Sequence, residues 1–124
     1  MGFMDERFQA VTLEADKDLS SKQYHFVKLD GAEVTDCSVE GELAFGVLRN
    51  APDDGEAATV AISGITNVVA GEAISAGDKV TTKADGRAQT ATATDAILGW
   101  AVRGASGDGH VCSVAFFGYL GEEE

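Results

Sequence analysis

A cysteine–histidine pair is the nucleophilic chemistry to weigh first in this sequence, with Cys37, Cys112, His25 and His110 as its candidates. A thiol attacks only when a neighbouring base or cation holds it as thiolate, and Cys112 with His25 is one pairing these residues allow. Both cysteines lie in strand-like contexts without a Cys-x-x-Cys spacing. Two thiols are too few for a disulfide framework and read as buried and reduced. His25 stands between Tyr24 and Phe26, and His110 follows a glycine-rich turn, so both read as ordinary surface histidines. No catalytic residue is assigned.

Metal and phosphate chemistry meet similar obstacles. Asp53, Asp54 and Glu56 lack the alternate-position oxygen ligands of a calcium loop, and no histidine pair has zinc spacing. That loop reads as solvated. The stretch from Gly104 to Gly109 opens no helix and carries no Gly-x-x-x-x-Gly-Lys-Ser/Thr phrase, so it is not a conventional nucleotide loop. No metal and no cofactor are expected. Trp100, the one tryptophan, either packs in the core or fills a subunit interface.

The surrounding chain has 124 residues with 44% hydrophobic content, 15 glycines and 7% aromatics. This describes one domain of small and β-branched residues, burying about 65% of its unfolded surface. Nine basic against 21 acidic residues give a net charge of -12, which repels phosphate backbones and opposes a nucleic-acid partner. No apolar run reaches the roughly 20 residues of a membrane helix, and no signal peptide is recognisable. Synthesis and assembly in the cytosol, without a membrane partner, are the expectation.

Residues 1–9 hold Phe3, Met4 and Phe8 among Asp5, Glu6 and Arg7, with neither alternation nor a helix cap. They read as an extended arm, either frayed or ordered against a neighbouring subunit, with Phe3, Met4, Arg7, Phe8 and Trp100 as candidate subunit contacts. Residues 10–120 form the β domain, and residues 121–124 an acidic solvated tail. Asp18 or Ser20 can start a single helical turn. Tyr24 to Leu29, ending at Asp30-Gly31, reads as the first arm of a hairpin. Asp85-Gly86 marks another hairpin within Thr81 to Thr94, and the last pairs Ile97–Val102 with Val111–Leu120.

Ala58, Val60, Ile62 and Gly64 alternate with Thr59, Ala61 and Ser63, so the first set faces a core. Fifty-four positions on stand Cys112, Val114, Phe116 and Gly118, and Asp54-Gly55 falls on Asp108-Gly109. The chain therefore reads as two pseudo-repeated β units, about residues 24–65 and 78–120, joined by 66–77. Within this joint, the glycines of Asn67 to Val80 turn the backbone, and a valine at Gly77 is expected to harm folding. The fold class is all-β, a small antiparallel barrel or sandwich, because closure removes exposed strand edges.

The phrases Tyr24-His25-Phe26-Val27-Lys28-Leu29, Gly46-Val47-Leu48, Gly55 to Val60, Val69 to Val80 and Ile97-Leu98-Gly99 resemble the small capsid decoration, or cement, proteins of tailed bacteriophages. The resemblance runs from about Ala10 to Leu120. It implies an all-β, non-enzymatic virion protein on the capsid exterior, a homotrimer assembled in the host cytoplasm. Such a protein bridges major capsid proteins and stabilises the mature head. Members have been labelled recombinase-like, but this chain lacks the phosphate loop such an ATPase requires. Another class would be a host- or carbohydrate-binding module of a fibre or spike, yet the loops near Asp30, Asp53, Asp85 and Gly107 carry no aromatic platform. The Ala70-Gly71 to Gly77-Asp78 phrase also resembles small β-clip modules beside sugar-acid enzymes, which alone lack a complete active site.

Overall fold

The computed structural model describes residues 7–92 and 94–117. Nine strands form in order: β1 (Arg7–Ala15), β2 (Phe26–Asp30), β3 (Glu33–Asp36), β4 (Gly46–Leu48), β5 (Ala57–Val69), β6 (Lys79–Thr82), β7 (Ala88–Thr90), β8 (Gly99–Arg103) and β9 (Val111–Phe116). The fold is all-β, with the strands joined in one hydrogen-bonded network ordered β1-β3-β2-β4-β5-β9-β8-β6-β7. The hairpins marked by Asp30-Gly31 and Asp85-Gly86 form as β2–β3 and β6–β7, with Gly31 and Gly86 at φ +64° and +91°. Asp18 starts no helix; its carboxylate accepts the Ser20 N–H at 2.9 Å and shapes a turn.

β1 pairs with both β3 and β5, so the ladder β1-β3-β2-β4-β5 returns to its starting strand and leaves this unit no open edge. The second half repeats the scheme. Ala70, just past β5, bridges Ala88 in parallel as Ala15 bridges Val34, and the ladder continues through β6, β8 and β9 back to β5. Cross-strand pairs recur 53 to 55 residues apart: Phe26↔Val47 becomes Lys79↔Trp100, Val47↔Ala61 becomes Trp100↔Ala115, and Leu13↔Ala58 becomes Val68↔Cys112. Loop bonds recur too. Asp16 N donates to Val34 O at 2.8 Å and Gly71 N to Ala88 O at 2.7 Å, while Gly55 N and Gly109 N donate to Ala15 O and Ala70 O.

The units meet inside β5, since Asn67–Val69 continue that strand and play for the second unit the part β1 plays for the first. Within β5 the pairing passes from β1 to β9 at Gly64 and Ile65, at the head of the 66–77 segment. Arg7–Gln9, grouped with the arm on sequence, are the first residues of β1 and pair with Ile65–Ser63. Their side chains alternate with Phe8 inward, but the register shift between Gln9 and Ala10 puts them out of step with the rest of β1.

Two cores follow from the duplication. Ala15, Leu19, Val27, Val34, Leu48, Ala58 and Val60 fill the first unit. Their counterparts Ala70, Ile74, Val80, Ala88, Ala101, Cys112 and Val114 fill the second. The latter set is continuous with the junction residues Phe26, Val47, Ala61, Leu98 and Phe116. Burying a side chain of Val, Leu or Phe size contributes about 1.5–3 kcal/mol, which makes these clusters the main stabilising element.

Gly77 has φ +94° with open space where a Cβ would stand. Its counterpart is Tyr24 at φ +65°; the Gly77 N–H donates to Ala101 O and the Tyr24 N–H to Leu48 O. A side chain at this place is thus tolerated at the cost of backbone strain. Gly77→Val is expected to lower stability by about 2 kcal/mol while leaving the fold intact. Urea unfolding with an unchanged transition slope would register this, and a midpoint equal to wild type would contradict it.

Candidate functional site

Among the described residues, no hydrogen bond joins a cysteine to a histidine. Cys112 Sγ donates to Val68 O at 3.4 Å, and burial pushes its thiol up to about 11. Cys37 is pushed up to about 12 by burial and by the nearby Glu42 carboxylate. Both thiols stay protonated at neutral pH, which removes the thiolate a nucleophile needs. The half-buried His25 ring bonds Gln23 O through Nδ1 at 3.0 Å, and burial lowers its pKa. Among the described residues, no cluster of three or more His, Cys, Asp or Glu could hold a metal ion.

Surface geometry is more informative. Register places Arg7, Ile65, Ala115, Trp100 and Lys79 directly across successive strands, so all five point to one side of the sheet. Trp100 is 41% exposed in the middle of this row. Phe117, 56% exposed, lies just beyond β9. Of the contacts expected from sequence, the structure brings Arg7 and Trp100 to this shared face. Phe8 is directed away from it, in the row Phe8↔Gly64↔Phe116, and packs half-buried against the core. Phe3 and Met4 lie outside the described residues.

Phe8 has a partner that sequence reading missed. The Arg49 guanidinium stands 4.4 Å from the Phe8 ring centroid and 4.9 Å from that of Tyr24, and Nη1 donates to Thr66 Oγ1 at 2.9 Å. One cation thus ties β1, the turn before β2 and β5 together. An arginine directly after the apolar Val47-Leu48 run was the available signal.

Charge pairs fix the loops. Arg87 binds Asp85 through Nε at 2.7 Å and reaches Asp108 on the β8–β9 loop. Burial alone would raise the Asp85 pKa, but the Arg87 hydrogen bonds and charge hold it down to about 2. Lys28 pairs with Glu42 at 3.0 Å, and Glu42 also accepts the Ser38 and Val39 N–H groups, which shapes the 38–42 turn. Burial and the neighbouring carboxylates of Glu14, Asp16, Asp30 and Asp54 raise the Glu33 pKa, a sign of concentrated acidity at this end of the first unit. Arg7, Trp100 and Lys79 thus set charged and apolar exposed surface side by side on one face.

No curated protein matches this chain in sequence. In structure, the chain is similar to the crystal structure of the N base of head fiber gp8.5 in bacteriophage phi29, with a TM-score of 0.69 and 20% identity. The alignment covers 94% of this chain and 100% of that one, and at this identity the likeness is one of fold. A family model described as phage cement protein matches residues 6–116, beginning four residues before the resemblance read from sequence and taking in all nine strands. By that match, the chain belongs to the phage cement protein family.

Proposed function

We propose that this chain is a non-enzymatic cement protein that binds the exterior of a tailed-phage head as a homotrimer, bridges neighbouring major capsid proteins and stabilises the mature capsid. The observation that carries the reading is the family match across all nine strands. The likeness in fold to the base of a phage head fiber is in keeping with it. Phe3, Met4, Arg7, Phe8 and Trp100 are the proposed contacts with capsid or subunits. Assembly takes place in the host cytoplasm, where finished heads are available to bind.

A ligand that binds only the assembled lattice stabilises that lattice by mass action. A trimer multiplies modest contacts through effective concentration, so no single contact has to be strong. Neither step requires contact with DNA, in keeping with a chain of charge -12. Purified protein mixed with undecorated expanded heads is expected to give ordered external density at symmetry or quasi-symmetry axes. Heads that stay bare at micromolar protein would overturn the reading, and a glycan-array signal without head affinity would favour a carbohydrate-binding module.

A further inference from the structure

The junction inside the chain joins two unlike faces. The first unit contributes Phe26, Val47, Ala61 and the segment 37–44, whereas the second contributes Thr82, Ala96, Leu98 and Phe116. The Phe26 and Phe116 rings lie 6.1 Å apart, Gly41 N donates to Thr82 O at 2.8 Å, and Ala96 N donates to Gly41 O at 3.0 Å.

Because the units correspond residue for residue, each face has a counterpart that the chain itself leaves outward. Val47 and Ala61 correspond to Trp100 and Ala115. Thr82, Ala96 and Leu98, at 0%, 6% and 0% exposure, correspond to Leu29, Leu43 and the half-buried Phe45. Leu29 and Leu43 are 45% and 55% exposed, and with Lys28, Ala44 and Phe45 they line an open groove of about 460 Å³. Scattered exposed leucines need no explanation, but an apolar groove in the position where the other unit is covered does.

We propose that a second copy of this chain seats its Trp100 face in the groove formed by Leu29, Leu43 and Phe45, repeating between chains the junction that joins units within one. A large aromatic entering an apolar groove is the usual anchor of such a contact. Unlike faces meet, so the contact is head-to-tail and each chain carries one copy of both halves. Such contacts close into a ring when the rotation allows. The inference rests on the self-association in the function proposed above and names the surfaces that make it.

The test is sedimentation velocity on the full chain, from micromolar to about 0.1 mM. Wild type is expected to run as a closed multimer, and Leu43→Glu and Trp100→Glu each as a monomer with an unchanged circular dichroism spectrum. Mixing the two variants restores one intact groove and one intact Trp100 face, so a two-chain complex forms. A monomeric wild type, an unchanged mass for either variant, or a mixture that stays monomeric overturns the inference. Head binding measured in parallel separates it from the cement reading. A multimer broken by these variants that never binds heads sustains the inference and sinks the reading, whereas a monomeric wild type that decorates heads does the reverse.

Discussion

Gly64→Val is expected to leave the chain without its native fold. Gly64 sits in the middle of β5 at φ +104°, a conformation that a β-branched residue adopts only under severe strain. Space is a second obstacle, because β1 crosses here. A Cβ on Gly64 would lie 2.7 Å from Phe8 Cα and closer still to the Arg7 carbonyl oxygen, both backbone atoms of a paired strand. Relief would require β1 to leave β5, and that would open the first ring of strands. Strain and overlap together cost about 4 kcal/mol or more, a large share of the 5–15 kcal/mol that holds a domain of this size. Loss of the cooperative urea transition is the expected result, and a midpoint near wild type would show that the crossing is misread. Gly64→Ala carries the same Cβ at the same positive φ and is expected to lose most of the stability that Gly64→Val loses.

Phe116→Ala is expected to cost about 3–5 kcal/mol, the range for truncating a buried aromatic. Phe116 is fully buried and packs against Phe26 at the junction of the two units, so truncating it leaves a cavity there. Cutting it separates the halves more than it harms either one. Thermal unfolding should therefore lose stability and also broaden, as the second unit begins to open ahead of the first. A loss below about 1 kcal/mol would mean that the junction contributes little and that the units are stable independently.

The duplication was legible because it is written in local turn chemistry. Asp54-Gly55 and Asp108-Gly109 recur at one spacing, and Gly55 and Gly109 share positive φ of +82° and +86°. Alternation at Ala58 and Val60 and at Cys112 and Val114 placed these residues in their cores, since a period of two has only one buried solution. The start of the first unit was hidden. β1 carries a register shift and pairs in parallel with β3, a contact between Glu14 and Glu33 that no turn announces. The change of partner within β5 was hidden for a related reason. Glycine at Gly71 and Gly77 is visible in a sequence, whereas the change of role at Gly64 happens within one unbroken strand. Trp100 illustrates a third limit. Its type suggested either core or interface, and only the counterpart relation to Val47 shows that its face is the outward copy of a buried one.

These observations give the proposed cement role a physical form. The apolar junction holds the two units together as one block, and a preorganised block loses less entropy when it binds a lattice. The net charge of -12 discourages non-specific association between such blocks.

The central claim, that this chain stabilises heads from outside, is tested most directly by heating DNA-filled heads stripped of decoration and following DNA release with an intercalating dye. With saturating protein, release is expected to shift upward by several degrees, and the shift should titrate with occupancy of the external sites. Full occupancy with an unchanged release temperature would contradict the claim and leave a head-bound protein that cements nothing.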